Sequence, residues 1–497
     1  MTNVSDEFDK PLCECGVVGV YNHPKASLMA YYMLHALQHR GQEAAGITTI
    51  YFDEKRQKNR YCTHKDLGLV LDAFNDPEIL DGLKGTCAIA HNRYSTTGAS
   101  DKMNIQPFNM IYQNGILSLA HNGNLTNTST LRDQLRSEGA IFQTTTDSEI
   151  FMHLIARSKK DSEIERIHEA LLATRGSYSI VVLTENGLIA ARDPHGVRPL
   201  SIGMKHNPDG SNAYFVASET RSFDMIGAEY VRTVHHNEMI IIDDETVKTG
   251  EIKSMKIQEV TPTAAQCIFE YVYFSCPDSK IFGHNVDKVR RKMGKLLGEE
   301  APVVLPDNEK VCVISVPDSA NTHALGFTRT NNDVNPTVFE IGLIRSHYVG
   351  RTFIAPGQDN REFKVKVKFN TVKGVIENRN IVLIDDSIVR GTTSKLLIQL
   401  LRSAGPKRLF CRICSPRIKY PCYYGMDFPS RDELIANHYS SEKEIGDAIG
   451  VDNLHYLSPE QLLASVPHDE GIGYCTACFT GEYPIEVEDK MLQKQHK

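Results

Sequence analysis

Apolar and polar positions follow one pattern in the first half of the chain. Short apolar segments are broken by Gly- and Asn-rich turns, and a few stretches carry apolar residues at helical spacing. The first pattern predicts buried strands and the second predicts amphipathic helices. The strand candidates are Ile116–Ala120, Tyr178–Leu183 and Met239–Ile242, and the helix candidates are Leu28–His39, Asp147–Ser158 and Ile164–Thr174. The first half is therefore expected to have an α+β fold.

From about Val311 the pattern changes to apolar strand, polar loop and helix, repeated. Such alternation is typical of an α/β domain, in which helices flank a parallel sheet. The polar stretch Lys248–Thr263 separates the two patterns and predicts the domain boundary. The predicted strands are Val311–Val316, Val338–Ile341, Ile381–Ile384 and Arg408–Ile413, and the clearest helix is Lys395–Ala404, closed by Gly405.

Composition narrows the class of protein. A chain of 497 residues suggests two to three domains at roughly 150 residues each. The formal net charge of −7 argues against a nucleic-acid partner, and no apolar run approaches the roughly 18 residues needed to span a membrane. The polar first fourteen residues are not a secretory signal, so a cytoplasmic location is expected. Twelve cysteines in a reducing compartment indicate a nucleophile, a metal site or both.

The most informative segment is 381–394. The apolar run Ile381–Ile384 stops at Asp385 and Asp386, and the polar group Gly391, Thr392, Thr393 and Ser394 then opens a helix. Hydroxyls and free N–H groups at a helix N-terminus bind phosphate, and carboxylates at a strand end bind sugar hydroxyls or Mg²⁺. An acidic turn with a helix N-cap is the plain alternative. The order of strand, acidic pair, Gly-Thr-Thr and helix favours a phosphate site.

Segment 381–394 resembles the phosphoribosyl pyrophosphate signature of type I phosphoribosyltransferases. The resemblance implies that Val316–Ser319 is the pyrophosphate loop and that Ser319, Asp385 and Asp386 approach Mg²⁺. Between these loops the stretch 345–373 is strongly basic. It is either a solvated hairpin or a mobile cationic lid, and beside a pyrophosphate site the lid, which would exclude water, is favoured. Its basic residues are Arg345, Arg351, Arg361, Lys364, Lys366, Lys368 and Lys373.

Near the start of the chain, Cys15 precedes the apolar segment Gly16–Val20. Removal of residues 1–14 as a propeptide would give Cys15 a free α-amine with a pKa of about 7.7–8.0. Such an amine can serve as the base for the thiol. A buried strand cysteine with no chemical role is the alternative that this segment alone would favour.

Four further motifs, His39–Gln42, Arg93–Thr96, His121–Asn124 and Thr146–Glu149, resemble class II glutamine amidotransferases. The resemblance implies an N-terminal nucleophile hydrolase with an αββα sandwich and Cys15 as nucleophile. Arg93 and Asp147 would then bind the carboxylate and amino groups of glutamine, and Asn122 with Gly123 would form the oxyanion hole. A hairpin turn at Asn122–Gly123 is the alternative. A helix-like segment, Leu131–Leu135, follows in place of a returning strand, which weakens that alternative.

Together the motifs resemble the glutamine phosphoribosylpyrophosphate amidotransferase family from Cys15 to about Pro484. The implied organisation is a propeptide (1–14), a glutaminase domain (15–255), a phosphoribosyltransferase domain (262–470) and a C-terminal segment (471–497). The resemblance further implies glutamine and phosphoribosyl pyrophosphate as substrates, an internal ammonia channel, feedback inhibition by purine nucleotides and a homodimer or homotetramer. A hexosamine-forming amidotransferase and a regulatory sensor with a decayed glutaminase are the rival hypotheses.

Two motifs depart from the pattern of the family. Cys276 replaces the usual arginine, and Ser346 and His347 alter a usual basic triplet. The expected consequence is altered domain coupling and altered affinity for phosphoribosyl pyrophosphate.

Two C-x-x-C pairs remain. Cys411 and Cys414 lie in a predicted strand, where residues three apart point to opposite faces, so they are expected to be structural. Cys475 and Cys478 lie in a predicted loop, and residue chemistry leaves a Cys₄ zinc site and an iron–sulfur cluster open. The family resemblance implies a [4Fe–4S] cluster on Cys267, Cys422, Cys475 and Cys478. The expected inert cysteines are Cys13, Cys62, Cys87 and Cys312.

Overall fold

The computed structural model describes residues 15–94, 102–346, 368–428 and 430–488. The predicted propeptide and most of the predicted lid, from His347 to Val367, lie outside the described residues. Arg351, Arg361, Lys364 and Lys366 therefore have no structural description here.

The first half contains two antiparallel sheets. One has seven strands and the other has six. The seven-stranded sheet runs through Glu229–Thr233, Ser201–His206, Asn212–Ala217, Gly16–Tyr21, Cys87–Arg93, Ala44–Asp53 and Lys58–Leu67. The six-stranded sheet runs through Lys253–Lys256, Glu238–Ile242, Leu188–Arg192, Gly176–Thr184, Gly115–Leu125 and Phe108–Tyr112.

Side-chain alternation along Gly16–Tyr21 explains how the sheets stack. Val18 and Val20 pack against the helix Ala26–Ala36, whereas Val17 and Tyr21 enter the apolar layer between the two sheets. The six-stranded sheet packs its other face on Glu149–Arg157 and Glu163–Ala173. Helix, sheet, sheet and helix thus form four layers, which confirms the predicted αββα sandwich. The strands are continuous apolar runs in the sequence because each sheet is covered by helices on one face and by the other sheet on the opposite face.

The three predicted helices of this half are confirmed with small shifts at their ends. The clearest start signal is at Glu163–Ala173, where the Ser162 hydroxyl accepts a hydrogen bond from the Glu165 backbone N–H and Glu165 bonds back to the Ser162 backbone. This reciprocal cap satisfies two N–H groups that the helix itself leaves unpaired. The helices of the half are Ala26–Ala36, Val70–Ala73, Pro77–Gly82, Thr128–Ser137, Glu149–Arg157, Glu163–Ala173, Arg221–Ile226 and Asp244–Thr249.

The second half contains a five-stranded parallel sheet, as predicted. Its order is Thr337–Phe339, Val311–Ser315, Asn380–Asp385, Arg408–Ile413 and Asn453–Tyr456. Ser315 pairs with Ile384, so the loops that follow these two strands leave the sheet at the same edge. The flanking helices are Val286–Glu300, Asn321–Asn331, Lys373–Ile376, Thr392–Arg402, Ile435–His438, Glu442–Ile449 and Pro459–Ser465.

The junction between the halves differs from the sequence interpretation. Lys253–Lys256, inside the predicted boundary stretch, is an edge strand of the six-stranded sheet. It was missed because an edge strand with largely exposed side chains has no apolar pattern. Past the junction, Gln266–Cys267 pairs in parallel with Tyr474–Cys475. The Cys475–Cys478 segment is thus a short strand followed by the helix Ala477–Thr480, and the expected loop is wrong.

The longest helix in the described part of the chain, Val286–Glu300, has 15 residues. None of the described helices combines the length and the apolar character that crossing a membrane requires.

Candidate active sites

Cys15 lies directly before the central strand Gly16–Tyr21. Its sulfur is 3.6 Å from the Tyr94 carbonyl oxygen, and its own carbonyl accepts a hydrogen bond from Arg40 Nε at 3.3 Å. Burial raises the pKa of the Cys15 thiol to about 11, and the positive charge of Arg93 only partly offsets that effect. The thiol is therefore protonated at neutral pH and needs a base before it can act as a nucleophile.

Arg93 and Asp147 are both buried and both lie near this thiol. Arg93 ends the strand Cys87–Arg93, which pairs with the Cys15 strand, and the Asp147 carboxylate accepts a hydrogen bond from Leu125 N at 2.8 Å. Arg93 lowers and Asp147 raises the pKa of Cys15, which places both charges within electrostatic reach of the sulfur. The fold thus brings one cation and one anion to the thiol, as a zwitterionic substrate requires.

Asn122 and Gly123 lie inside the strand Gly115–Leu125, paired with Ser179 and Tyr178. The hairpin alternative is therefore wrong. The Asn122 side-chain nitrogen is buried and has no hydrogen-bond partner among the described residues. Gly123 has φ of +147°, and a Cβ there would lie 2.1 Å from the Ser177 carbonyl oxygen, so only glycine fits. A buried, unsatisfied donor needs an explanation, and a substrate oxyanion would supply one.

A buried ion-pair network behind Cys15 was not predicted from the sequence. The Arg40 guanidinium donates to Glu219 at 2.6 Å and to both oxygens of Glu270, at 2.6 and 3.0 Å. Glu270 begins the π-helix Glu270–Phe274 just past the junction, so Arg40 joins the Cys15 carbonyl to the second half of the molecule. The only sequence signal was a carboxylate inside the apolar run Ile268–Phe274.

Within this network, His39, Glu219 and Cys276 offer three ligand atoms that all lie within 4.8 Å of one another. Glu219 is already hydrogen-bonded at both oxygens, to His39 and Arg40 on one side and to Cys276 N and the Ser279 hydroxyl on the other. Arg221 contacts the Cys276 sulfur. Two guanidinium groups beside the cluster oppose a metal cation. We assign the cluster to the interface between the halves, and it is here that Cys276 replaces the usual arginine.

Charge coupling in this cluster is strong. Burial disfavours the charged form of His39, but Glu219 and Cys276 outweigh burial and raise its pKa to about 9. His39 is therefore an imidazolium at neutral pH, hydrogen-bonded to Glu219 at 2.7 Å.

The predicted acceptor site forms at one edge of the parallel sheet. Ser319, after the strand Val311–Ser315, donates a hydrogen bond to Asp386 at 2.5 Å, and Ser387 donates to the other oxygen of Asp386 at 2.7 Å. Asp385 accepts from the Asp386 backbone N–H at 2.9 Å. Both aspartates are buried. The two strands end side by side, so the loops that follow them bring the side chains of Ser319, Asp385 and Asp386 together. Their oxygen atoms form a set of ligands that suits Mg²⁺ or a ribose.

The phosphate part of this site is the start of the helix Thr392–Arg402. Gly391 is its N-cap, Thr392 and Thr393 form its first turn, and Ser394 follows. Backbone N–H groups and hydroxyls therefore gather at a positive helix end beside the acidic pair.

Two strands frame the predicted lid. Leu343–Arg345 pairs antiparallel with Phe369–Thr371, so the described ends of the segment form the base of a hairpin. Arg345 lies 3.7 Å from Asp318 of the loop Val316–Ser319, so one cation at the base of the predicted lid lies beside the predicted pyrophosphate loop.

The four proposed cluster cysteines come together at the junction. Cys267 and Cys475 are paired residues on adjacent strands, and the charges of Cys267, Cys422 and Cys475 all influence Cys478. Burial raises the pKa of Cys267 to about 11 and raises those of Cys475 and Cys478 as well. Yet no three of these thiols form a grouping within 4.8 Å among the described residues. Four sulfurs bound to one zinc ion would lie about 3.8 Å from one another. The sulfurs of these four cysteines are spaced more widely than that, which suits a larger metal cluster.

The remaining cysteines that the structure describes are free thiols. Cys411 and Cys414 are buried in and just after the strand Arg408–Ile413, in agreement with a structural role.

Comparisons with known proteins agree with this architecture. Residues 91–225 match the family model described as a glutamine amidotransferase domain. The chain is 44% identical to the amidophosphoribosyltransferase of Bacillus subtilis, with 96% of each chain covered. It is 46% identical to the chloroplastic amidophosphoribosyltransferase 1 of Arabidopsis thaliana, covering 99% of this chain and 82% of that protein. A solved structure of the B. subtilis glutamine phosphoribosylpyrophosphate amidotransferase, complexed with ADP and GMP, superposes with a TM-score of 0.85 at 42% identity, covering 96% of this chain and 98% of that one.

The fold and the two sites define a glutamine amidotransferase joined to a phosphoribosyltransferase-like domain. The chain belongs to the amidophosphoribosyltransferase family. Its function is the first step of purine biosynthesis, the transfer of the amide nitrogen of glutamine to phosphoribosyl pyrophosphate.

Proposed function

We propose that the two sites act in sequence, with glutamine hydrolysed at Cys15 and the released ammonia consumed at Asp385–Asp386. The observation that carries this proposal is the buried thiol flanked by Arg93 and Asp147 in a chain that also carries the acidic pair. The rival hexosamine-forming enzyme has no use for such a pair beside a phosphate-binding helix.

In the glutaminase half, Arg93 binds the carboxylate and Asp147 the amino group of glutamine. After removal of residues 1–14, the α-amine of Cys15 accepts the thiol proton, because an amine with a pKa of about 7.7–8.0 is partly neutral at physiological pH. The sulfur attacks the amide carbon, and the Asn122 side chain with the Gly123 N–H stabilises the oxyanion that forms. The α-amine then gives its proton to the amide nitrogen, which leaves as ammonia as the thioester forms. Water hydrolyses the thioester, which releases glutamate and restores the thiol.

In the transferase half, the first turn of Thr392–Arg402 binds the 5-phosphate, and Asp385 and Asp386 hold the ribose hydroxyls. Ser319, Asp385 and Asp386 are proposed to lie beside Mg²⁺, which would neutralise charge on the departing pyrophosphate. Ammonia attacks C1 of the ribose and pyrophosphate leaves, giving phosphoribosylamine. The stretch 345–373 is proposed to close over this site, and the ammonia is proposed to travel inside the protein.

Cys267, Cys422, Cys475 and Cys478 are proposed to hold a [4Fe–4S] cluster with a structural role. Cys267 and Cys478 are buried and Cys422 and Cys475 are partly buried, so the four thiols are suited to hold a metal group. Their spacing supports a cluster over a single zinc ion. Such a group would join residues more than 200 positions apart and stabilise the junction.

Three further features are proposed, the first of them from a relative. The B. subtilis relative was solved with ADP and GMP, which supports purine nucleotides as feedback inhibitors here. We further propose a homodimer or homotetramer, and a cytoplasmic location, which would keep the described cysteines as free thiols.

The decisive experiment compares two nitrogen sources. Cys15→Ala should abolish glutamine-dependent formation of phosphoribosylamine and preserve ammonia-dependent formation, and in the wild type phosphoribosyl pyrophosphate should stimulate glutamate release. Loss of both activities in a folded Cys15→Ala protein would contradict the division of labour. Absence of any glutamate release by the wild type would favour the regulatory sensor.

A further inference from the structure

One segment of the transferase half lies directly against the strand that carries the proposed oxyanion hole. This segment, Cys422–Gly425, is about 300 positions away from Asn122 and Gly123 in the chain. The Asn124 side chain donates to the Tyr423 carbonyl at 2.9 Å, and the Ser177 hydroxyl donates to the Tyr424 carbonyl at 2.7 Å.

The Ser177 hydroxyl links both sides of this contact. It accepts a hydrogen bond from the Asn124 backbone N–H at 3.1 Å while it donates to Tyr424. The buried Arg198 also donates to the Tyr424 carbonyl, through Nε at 3.1 Å and through a second guanidinium nitrogen. The carbonyl of Tyr424 is thus held from two directions, and Ser177 connects it to the residue that follows Gly123.

Gly425 completes the contact at the backbone. It has φ of +103°, and a Cβ there would lie 3.2 Å from the carbonyl carbon of Gly123. Two glycines from opposite halves therefore approach back to back. A Cβ at position 425 would also lie 3.2 Å from a guanidinium nitrogen of Arg198. Gly123 and the Arg198 side chain would both have to give way by a few tenths of an ångström, in addition to the backbone strain at position 425.

We infer that the segment 422–425 is a buttress for the oxyanion hole, and that Gly425 and Ser177 are positioning residues for glutamine hydrolysis. The transferase half would then fix the geometry of Gly123 in the glutaminase half. This inference rests on the proposed role of Asn122 and Gly123. It requires neither residue to touch the substrate.

The segment is also tied to the C-terminal part of the chain. The Tyr424 hydroxyl donates to the Ile485 carbonyl at 2.6 Å and accepts from the Ile485 N–H at 3.0 Å. The Tyr424 backbone N–H lies 3.3 Å from the Cys422 sulfur. Segment 422–425 is therefore held on one side by hydrogen bonds to Ile485 and lies against Gly123 on the other side, as a supporting segment requires.

Gly425→Ala tests the inference, with Gly450→Ala as its matched control. Gly450 also lies in the transferase half and also has a left-handed φ, of +95°, but its nearest neighbour would be 3.6 Å from an added Cβ and belongs to Ile398. Both substitutions strain the backbone, and only Gly425→Ala pushes on Gly123.

We expect Gly425→Ala to lower kcat with glutamine about tenfold, because a misplacement of about 1 Å can cost on the order of a hundredfold and the displacement here is smaller. KM for glutamine and ammonia-dependent activity should stay near wild type, because Arg93, Asp147 and the acceptor site are untouched. Gly450→Ala should leave all of these unchanged.

A second readout reports the oxyanion hole directly. Glutamate γ-semialdehyde adds the Cys15 sulfur to its aldehyde carbon, and the thiol proton is transferred to the former carbonyl oxygen, which then occupies the oxyanion hole. Its inhibition constant should rise about tenfold in Gly425→Ala, in step with kcat. The inhibition constant of glutamate, which forms no tetrahedral adduct, should not move.

Other outcomes overturn the inference. If Asn122→Ala lowers kcat with glutamine and Gly425→Ala does not, the buttress is wrong and the oxyanion hole stands. If Asn122→Ala itself leaves kcat unchanged, the proposed oxyanion hole fails and the buttress fails with it. Equal loss of ammonia-dependent activity in Gly425→Ala would indicate a merely structural role.

If Gly425→Ala does not fold, Ser177→Ala takes its place, because it removes the hydroxyl between Asn124 and Tyr424 without adding atoms. A smaller fall in kcat with glutamine and the same weakening of the aldehyde are then expected. A folded Ser177→Ala protein with wild-type values for both would overturn the inference.

Discussion

The Ser319 hydroxyl donates a hydrogen bond to the Asp386 carboxylate at 2.5 Å, although the two residues are 67 positions apart. Ser319 follows one strand of the parallel sheet and Asp386 follows its neighbour, and the register of the two strands brings the loops together. Burial lowers the pKa of the Arg290 guanidinium, and the negative charge of Asp386 opposes that shift. Arg290 and Asp386 therefore lie within electrostatic reach of each other. Ser319 and Asp386 thus lie together at the edge of the sheet where the acceptor site is proposed.

Asp386→Asn should lower synthesis of phosphoribosylamine from both glutamine and ammonia by at least about tenfold. Each route uses the same acceptor, and a hydrogen bond to a charged group contributes roughly 1.5–3 kcal/mol. Steady-state rates with each nitrogen source would measure this. Asp447→Asn, an exposed carboxylate on the helix Glu442–Ile449, is the control. Ammonia-dependent synthesis at the wild-type rate in Asp386→Asn would show that the acceptor site has been misplaced.

Asp147→Asn should raise KM for glutamine and lower kcat/KM by about ten- to a hundredfold, because the amino group of the substrate loses its charged partner. Ammonia-dependent synthesis should not change. Asp224→Asn removes an exposed carboxylate of the same half and should have no effect. An unchanged KM for glutamine in Asp147→Asn would be incompatible with its proposed role.

Maturation can be checked by mass and by pH. The active enzyme should begin at Cys15, so its intact mass should lack the first fourteen residues. Its kcat with glutamine should rise as pH increases through the amine pKa of about 7.7–8.0, because only the neutral amine accepts the thiol proton. Ammonia-dependent synthesis should not follow that titration. An active enzyme that still carries Met1 would refute the maturation proposal.

Cys475→Ser should lower folded yield and iron content together, since a cluster that joins distant segments stabilises the fold. Air exposure should bleach the brown wild-type protein and inactivate it in step. Cys62→Ser, at a half-buried position in another sheet, is the control. Zinc in place of iron in anaerobically purified protein would overturn the cluster. A cluster-free protein of full stability would overturn its structural role.

The ion pair of His39 and Glu219 predicts how stability depends on pH. Its partners raise the folded-state pKa of His39 from 6.5 to about 9, so the stabilisation is complete below pH 6.5 and is lost as pH rises through about 9. In His39→Gln the side-chain amide can still donate a hydrogen bond to Glu219, but it has no charge that depends on pH. The free-energy difference between wild type and variant should fall by roughly 3 kcal/mol at most over that range. Unfolding measured from pH 6 to 9.5 would test this, and a pH-independent difference would contradict it.

Several elements were predictable because their signals are local. The strand Asn380–Asp385, its acidic pair and the helix Thr392–Arg402 follow one another within 23 residues, so pattern and turn chemistry sufficed. The α+β character of the first half was predicted from apolar runs, and its αββα layering from the family resemblance carried by motifs that each span four residues. The predicted ends of elements were off by a few residues, because the last turn or strand position depends on neighbours elsewhere in the fold.

What the sequence by itself determined is the order of apolar strands, polar loops and helices, and with it the position of the acidic pair Asp385–Asp386 at a strand end. The roles of Cys15 and of the four proposed cluster cysteines were predicted from the family resemblance. Only the tertiary structure decided how these groups are held. Arg40 meets Glu270 across 230 positions, and Tyr424 meets Ser177 across 247. Periodicity and turn signals report interactions within a few residues, whereas these contacts depend on how two separately folded halves pack. The placement of Gly425 against Gly123 depends on that packing in the same way, and no local pattern encodes it.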